Sequence, residues 1–156
     1  MSSETQTAAS TTRSPTLSEL ERRVARYLFA ISDLSERGEE RITTGEIREY
    51  LDVAPATVTE MVAKLDEQGL VEYEKYRGVV LTEHGSALAT RVAWRYCVVS
   101  TFFDSVLDTT LDDQTAFEIG YALPRDGVFS LRDLVSAPCH GLCPESTGDV
   151  DECVTC

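Results

Sequence analysis

The chain has 156 residues, 42% of them hydrophobic, and a formal net charge of −13 from 27 acidic and 14 basic side chains. That supports one domain with a real core plus an appendage, and it excludes a wholly disordered chain. No apolar run approaches the roughly 20 residues a membrane helix needs, and the start Met-Ser-Ser-Glu-Thr-Gln-Thr has neither a basic n-region nor an apolar h-region, so the expected location is the cytoplasm, with no membrane partner.

Residues 1–15 are Ser/Thr/Ala-rich with almost no large apolar side chain, which predicts a disordered tail. A first helix is predicted from about Ser18 to Glu36. Ser18 and Glu21 have capping-box spacing, and Leu20, Val24, Tyr27, Leu28, Ile31 and Leu34 form one face. Gly38 ends it. Thr43 with Glu46 signals a second, short helix carrying Ile47, Tyr50 and Leu51, and Asp52-Val53-Ala54 makes a tight turn. Pro55 suits the first turn of a third helix, with Val58, Met61, Val62 and Leu65 on its buried face and Gly69 past its end.

Two strands come next, at 70–74 and 79–81, with Lys75-Tyr76-Arg77-Gly78 as the hairpin tip. Thr82 caps a long helix over about Glu83–Leu107, with Leu88, Val92, Tyr96, Val99, Phe103, Val106 and Leu107 as its main apolar positions. Asp113 starts another helix that Pro124 stops at Leu123. Ser130 and Asp133 mark the start of a last short one over 131–135. His84, at the start of the long helix, reads as a solvated or a helix-entry residue. Trp94, Tyr96, Phe102 and Phe103 read as core or dimer packing. No Gly-rich phosphate loop or Ser/His/Asp set suggests an enzyme.

Helix, helix–turn–helix, two-stranded wing and long helix, in that order, define a mainly α fold: a winged helix-turn-helix DNA-binding domain over 16–82, then an all-helical dimerisation region over 83–137 and a Cys-rich tail over 138–156. DNA reading needs short side chains near the start of the second helix of the motif. Ala54, Pro55, Ala56, Thr57, Thr59 and Glu60 stand there. Lys64, Lys75 and Arg77 are the candidate phosphate contacts.

The stretch Thr43-Thr-Gly-Glu-Ile-Arg-Glu-Tyr-Leu-Asp-Val-Ala-Pro-Ala-Thr-Val-Thr-Glu-Met-Val-Ala-Lys-Leu, with Gln68-Gly-Leu-Val-Glu-Tyr-Glu-Lys-Tyr-Arg-Gly-Val-Val-Leu-Thr-Glu-His-Gly85 after it, resembles the DtxR/MntR family of metal-dependent transcriptional repressors. The similarity runs from about Arg23 to Cys143 and weakens after Tyr96. It implies a homodimer that binds a palindromic double-stranded DNA operator when loaded with Fe²⁺ or Mn²⁺. It also implies metal ligands on the first helix, the long helix and the helix after it. By position, Arg26 stands where the first ligand is expected, and a guanidinium cannot ligate a metal. Cys97 stands in place of a histidine, Thr101 in place of a ligating Glu, and Tyr121, Pro124 and Arg125 in place of the last set. The family's two-metal arrangement is therefore not inherited.

Four of the five cysteines lie in the last 18 residues. Cys139-His140-Gly-Leu-Cys143 and Cys153-Val-Thr-Cys156 are C-x₃-C and C-x₂-C pairs. Brought together they make a tetrahedral thiolate site suited to Zn²⁺ or iron, or less often an iron–sulfur cluster, with His140 and Cys97 as further ligand candidates. Each pair is also close enough to oxidise, which makes a thiol–disulfide switch the second reading and an inert tail the third.

The acidity counts against DNA binding. Residues 16–90 alone carry 9 basic and 15 acidic side chains, and Lys64 and Lys75 are the only lysines. This composition resembles that of cytoplasmic proteins of salt-accumulating halophiles. In molar salt the counterion-release contribution nearly vanishes, and short-range contacts carry binding. The expected function is a homodimeric DNA-binding transcription regulator, a repressor, with metal or redox control through the tail. The alternative is a constitutive DNA-binding or protein-interaction module with an inert tail.

Overall fold

The computed structural model describes residues 21–38 and 40–135. The expected tail over 1–15, the Ser18 cap, Leu20 and the Cys-rich segment over 138–156 lie outside the described residues. Six helices and one hairpin succeed one another in chain order: α1 (Arg22–Glu36), α2 (Thr44–Leu51), α3 (Pro55–Glu67), β1 (Val71–Glu74), β2 (Gly78–Leu81), α4 (Glu83–Leu107), α5 (Asp113–Ala122) and α6 (Arg125–Leu134).

Two of the start signals read from sequence, Thr43 and Thr82, act as real caps. Thr43 Oγ1 accepts from the Glu46 amide, and the Glu46 carboxylate accepts from the Thr43 amide, a complete capping box for α2. Asp52 then takes a left-handed conformation (φ 53°), which turns the chain sharply into α3 with Pro55 at its first position. Gly69, at φ +75°, ends α3.

The wing pairs antiparallel in the register Val71↔Leu81 and Glu74↔Gly78. Ile42 adds a third backbone connection by exchanging hydrogen bonds with Val79 at 3.0 and 2.8 Å. Gly78 permits it, because a Cβ there would meet the Ile42 carbonyl oxygen at 2.7 Å.

Where the wing returns, Thr82 Oγ1 donates to the Gly69 carbonyl (2.7 Å) and accepts from the Gly85 amide (3.0 Å), while the Thr82 amide donates to the Leu70 carbonyl (3.1 Å). One residue thus ties the end of α3, the exit of the wing and the first turn of α4. Gly85 lies so close to the Leu70 carbonyl that no Cβ fits without moving backbone.

The main core holds α1, α2, α3, the wing and the N-terminal half of α4 together through Leu28, Ile31, Ile42, Ile47, Val58, Leu65, Leu70, Val79 and Leu88, with Phe117 brought in from α5. A second, smaller cluster of Trp94, Val98 and Val128 joins the middle of α4 to α6. Val106 (48% exposed), Leu107 (50%) and Leu134 (64%) stay on the surface.

One predicted element is corrected. The last helix begins at Arg125, not at Leu131. Pro124, expected only as the stop of α5, is also the N-cap of α6, and its fixed φ (−65°) suits both roles. Ser130 caps nothing. Its hydroxyl donates to the Asp126 carbonyl one turn back, inside the helix.

Two glycines on opposite sides of this packing are expected to respond oppositely. Gly85→Ala should cost about 1–3 kcal/mol of stability through overpacking against Leu70. Gly45→Ala, where the new methyl would meet only Thr43 Oγ1 at 3.8 Å, should stabilise by ~0.5 kcal/mol. Urea denaturation of the two variants measures both.

Candidate nucleic-acid interface and the helix junction behind it

α3 shows two faces. Val58, Met61, Val62 and Leu65 are buried, whereas Ala54, Pro55, Ala56, Thr59 and Glu60 are exposed and Thr57 is half-buried. The exposed set forms a low surface with no side chain longer than Glu60, so a helix with this face can approach base edges closely. Thr59 Oγ1 donates back to the Pro55 carbonyl at 3.2 Å, a weak local bond that a hydroxyl exchanges easily. Ala63 continues the same stripe, seven residues beyond Ala56, and is exposed. The sequence-predicted set stops one turn short of it, although the helical period points there.

The wing that follows α3 ends in an exposed tip. Tyr76 is 93% exposed and in a left-handed conformation (φ 69°), with the Lys75 ammonium 5.3 Å from its ring centre. Sequence reasoning misses this residue, since neither the positive φ nor the exposure has a sequence signal at a tyrosine. Arg77 Nη1 pairs with Glu74 Oε2 at 3.0 Å, and Lys64 Nζ with Glu21 Oε2 at 2.9 Å. Both are surface pairs, worth about 0–1 kcal/mol, so a phosphate can compete for either cation.

Behind the motif, α1, α2, α4 and α5 meet. Tyr96 donates to Asp113 Oδ1 (2.7 Å), and Tyr50 donates to Asp33. Burial first, and then the neighbouring carboxylates, push the Tyr50 phenol up to about 12; burial and Asp113 push Tyr96 up as well. Both phenols therefore stay protonated and act as donors. Phe29 packs on Tyr96 (4.9 Å between ring centres) and on Phe117 (6.0 Å), and Phe117 stacks on Tyr121 at 6.3 Å. The Arg26 guanidinium lies 6.0 Å from the Phe117 ring centre. Arg22 reaches both Glu118 carboxylate oxygens at 2.9 Å. Arg95 Nη1 donates to the Gly120 and Leu123 carbonyls (3.0 and 2.6 Å), capping the end of α5.

These residues do not fit a metal ion. Among the described residues no group of three or more His, Cys, Asp or Glu side chains could hold one. Cys97 does not stand among ligands: the helical period that points Tyr96 at α1 and α5 packs Cys97 against the Trp94–Val98–Val128 cluster instead, with Sγ 3.9 Å from Thr101 Oγ1. Arg26, Tyr121 and Arg125 contribute rings and guanidinium groups. His84 is a helix-entry residue, in the first turn of α4 and half-buried, with its Nε2 buried without a hydrogen-bond partner. Cys139, His140, Cys143, Cys153 and Cys156 lie outside the described residues, and no helix among the described residues is long and apolar enough to cross a membrane.

The helix–turn–helix, wing and exposed α3 face define a winged helix-turn-helix DNA-binding protein. Comparison with known proteins agrees. Residues 19–79 match the family model of the iron dependent repressor, N-terminal DNA binding domain. The HTH-type transcriptional regulator MntR of Oceanobacillus iheyensis is 40% identical over 115 residues, covering 70% of this chain and 75% of that protein. MntR of Shouchella clausii is 33% identical over 103 residues, 65% of this chain and 71% of that one. The solved structure of the manganese regulator SloR superposes with a TM-score of 0.61 at 30% identity over 71% of this chain. It covers 52% of SloR, so the chain spans about half the length of that regulator. The chain belongs to the DtxR/MntR family of metal-dependent transcriptional repressors, whose named members are regulators and not enzymes.

The raised phenols make stability pH-dependent at the alkaline end. A group whose folded value lies above its unfolded value stabilises the fold below the unfolded value, about 10 for tyrosine. That contribution is lost as the pH rises through the folded value, about 12 for Tyr50. The urea midpoint is expected to fall above about pH 10, and the fall should be shallower in Tyr50→Phe and Tyr96→Phe. At neutral pH, Tyr96→Phe should cost about 1 kcal/mol for the lost bond to Asp113.

Proposed function

We propose that the chain is a sequence-specific transcription regulator of the cytoplasm, a repressor that binds a palindromic operator in double-stranded DNA as a homodimer. The observation that carries this reading is the exposed, short-side-chain face of α3, together with a wing tip that carries two cations. Ala54, Pro55, Ala56, Thr57, Thr59 and Glu60 would lie along base edges in the major groove: Thr hydroxyls bond bases or phosphates, alanine methyls touch thymine methyls, and Glu60 accepts from a cytosine amino group. Lys64, Lys75 and Arg77 would contact phosphates. Pairing of two chains is supported by the exposed Val106 and Leu107 at the end of α4 and by Leu134 on α6. The name of SloR as a manganese regulator and the MntR names support a divalent metal as the family's signal.

In this chain we place the signal on the tail. Cys139, His140, Cys143, Cys153 and Cys156 would take Zn²⁺ or Fe²⁺ as a thiolate site, or oxidise in pairs. Cys97, packed in the α4–α6 cluster, would join only if the tail reaches it. The acid-rich, lysine-poor composition supports work in a salt-rich cytoplasm.

The test is binding to DNA fragments selected from random sequence, and then footprinting. Two protected half-sites about one helical turn apart support the reading. Absence of any sequence preference in the selection would sink it. Lys75→Ala and Arg77→Ala should each weaken binding across sequences and lower the salt slope by about 1. Thr59→Ala should relax preference at one position. Serine at Cys139, Cys143, Cys153 and Cys156 together should abolish the response to metal or oxidant. Operator affinity that answers metal and oxidant equally in the native chain and in this variant would remove the tail from the mechanism.

A further inference from the structure

The family resemblance puts a divalent ion among helices α1, α4 and α5, and the residues at that junction do something else. We propose that this junction is held permanently, without an ion, by an aromatic and guanidinium cluster of Arg26, Phe29, Tyr96, Phe117 and Tyr121. In consequence, divalent metal neither binds there nor stabilises the fold through it.

Four observations converge. The rings form an unbroken series across the three helices, Tyr96 to Phe29 at 4.9 Å, Phe29 to Phe117 at 6.0 Å and Phe117 to Tyr121 at 6.3 Å, and Phe117 is 3% exposed. A ring carbon offers no ligand lone pair, and the Tyr96 phenol is a protonated donor to Asp113.

The charge next to the rings is positive. Arg26 lies 6.0 Å from the Phe117 ring centre and opposes entry of a cation. The nearest carboxylates are already engaged: Asp113 with Tyr96, Asp33 with Tyr50, and Glu118 with Arg22 through both oxygens.

The helices also meet backbone to backbone at one point, and the cavity of about 40 Å³ that remains among Arg26, Phe29, Tyr50, Asp113 and Phe117 offers a single carboxylate. At Gly120 an added Cβ would meet the Arg95 carbonyl oxygen at 3.0 Å, so α5 lies directly on the backbone of α4. Arg95 fastens that contact through the Gly120 and Leu123 carbonyls. An ion-held junction is loose until the ion arrives, whereas a packed and capped one is closed from the moment the chain folds.

The test uses the full chain with Cys139, Cys143, Cys153 and Cys156 changed to serine, which removes the tail thiols and leaves the junction intact. The protein is stripped with EDTA and titrated with MnCl₂. Bound Mn²⁺ is tracked by loss of the free-ion EPR signal, and the thermal midpoint is measured with and without millimolar Mn²⁺. The expected result is no stoichiometric binding and midpoints that coincide within about 1 °C. Binding near one ion per chain, or a rise of about 5 °C or more, overturns the proposal.

A second arm asks whether the rings do the holding. Phe117→Leu should lower the midpoint, with no recovery on adding Mn²⁺. A midpoint unchanged by Phe117→Leu overturns the assignment of the holding role to the cluster. Neither readout involves DNA, so failure of operator binding would leave this result standing, and the reverse.

Discussion

The contact between the first turn of α4 and the backbone of Leu70 is the constraint on which the rest of the structure depends. Thr82 bonds to Gly69, Leu70 and Gly85 at once, and the missing side chain of Gly85 lets α4 begin against the Leu70 carbonyl. The wing is therefore not a free hairpin. Its outgoing strand is fixed to the end of α3, its return strand to the start of α4, and its middle to Ile42 ahead of α2. A two-stranded hairpin alone is marginal in water. Anchored at three places, it holds Lys75, Tyr76 and Arg77 on a fixed hairpin tip.

The same helix carries the second half of the molecule. From Val92 onward α4 is flanked by α5 on one side and α6 on the other, and two neighbouring residues show the division: Tyr96 belongs to the junction with α1 and α5, Cys97 to the cluster with α6. An ion at such a junction would couple it to metal supply. Rings and guanidinium groups couple it to nothing outside the chain. Burying Phe117 alone is worth about 2–3 kcal/mol, with no ion to desolvate. On the proposed reading the signal would be received at another place, and four of the five thiols lie in the last 18 residues.

The winged helix was legible because each of its boundaries has a local chemical cause: Thr43 with Glu46, Pro55, Gly69, the tip at 75–78, and Thr82. All five act in the structure as their types imply. α6 was misplaced because Pro124 has two readings, the stop of α5 and the start of the next helix, and Ser130 with Asp133 imitates a cap inside a helix. The junction was half legible. The family resemblance implied, by position, that Arg26 and Tyr121 replace ligands. It could not show that Phe29, Tyr96 and Phe117 converge, since that depends on crossing angles between three helices far apart in the chain. The orientation of Cys97 is a matter of one residue of helical register, which low-identity alignment does not fix.

The acidity of the chain acquires a local meaning on the α3 face. Of the three candidate phosphate contacts on α3 and the wing, Lys64 and Arg77 already have carboxylate partners, and Glu60 is exposed among the proposed DNA contacts. Engaging phosphate exchanges one ion pair for another at Lys64 and Arg77, so the net gain from charge is small there. Only Lys75 lies against a ring in place of a carboxylate. Three phosphate contacts release about three counterions at most, and the bonds given up to Glu21 and Glu74 offset part of that. In the proposed reading affinity comes from fit, from the low surface of Ala56, Thr59 and Ala63 and from the anchored wing. Such an interface loses less when salt screens charge than a lysine-rich one does, and an acidic chain can keep a DNA-reading face without a basic surface around it.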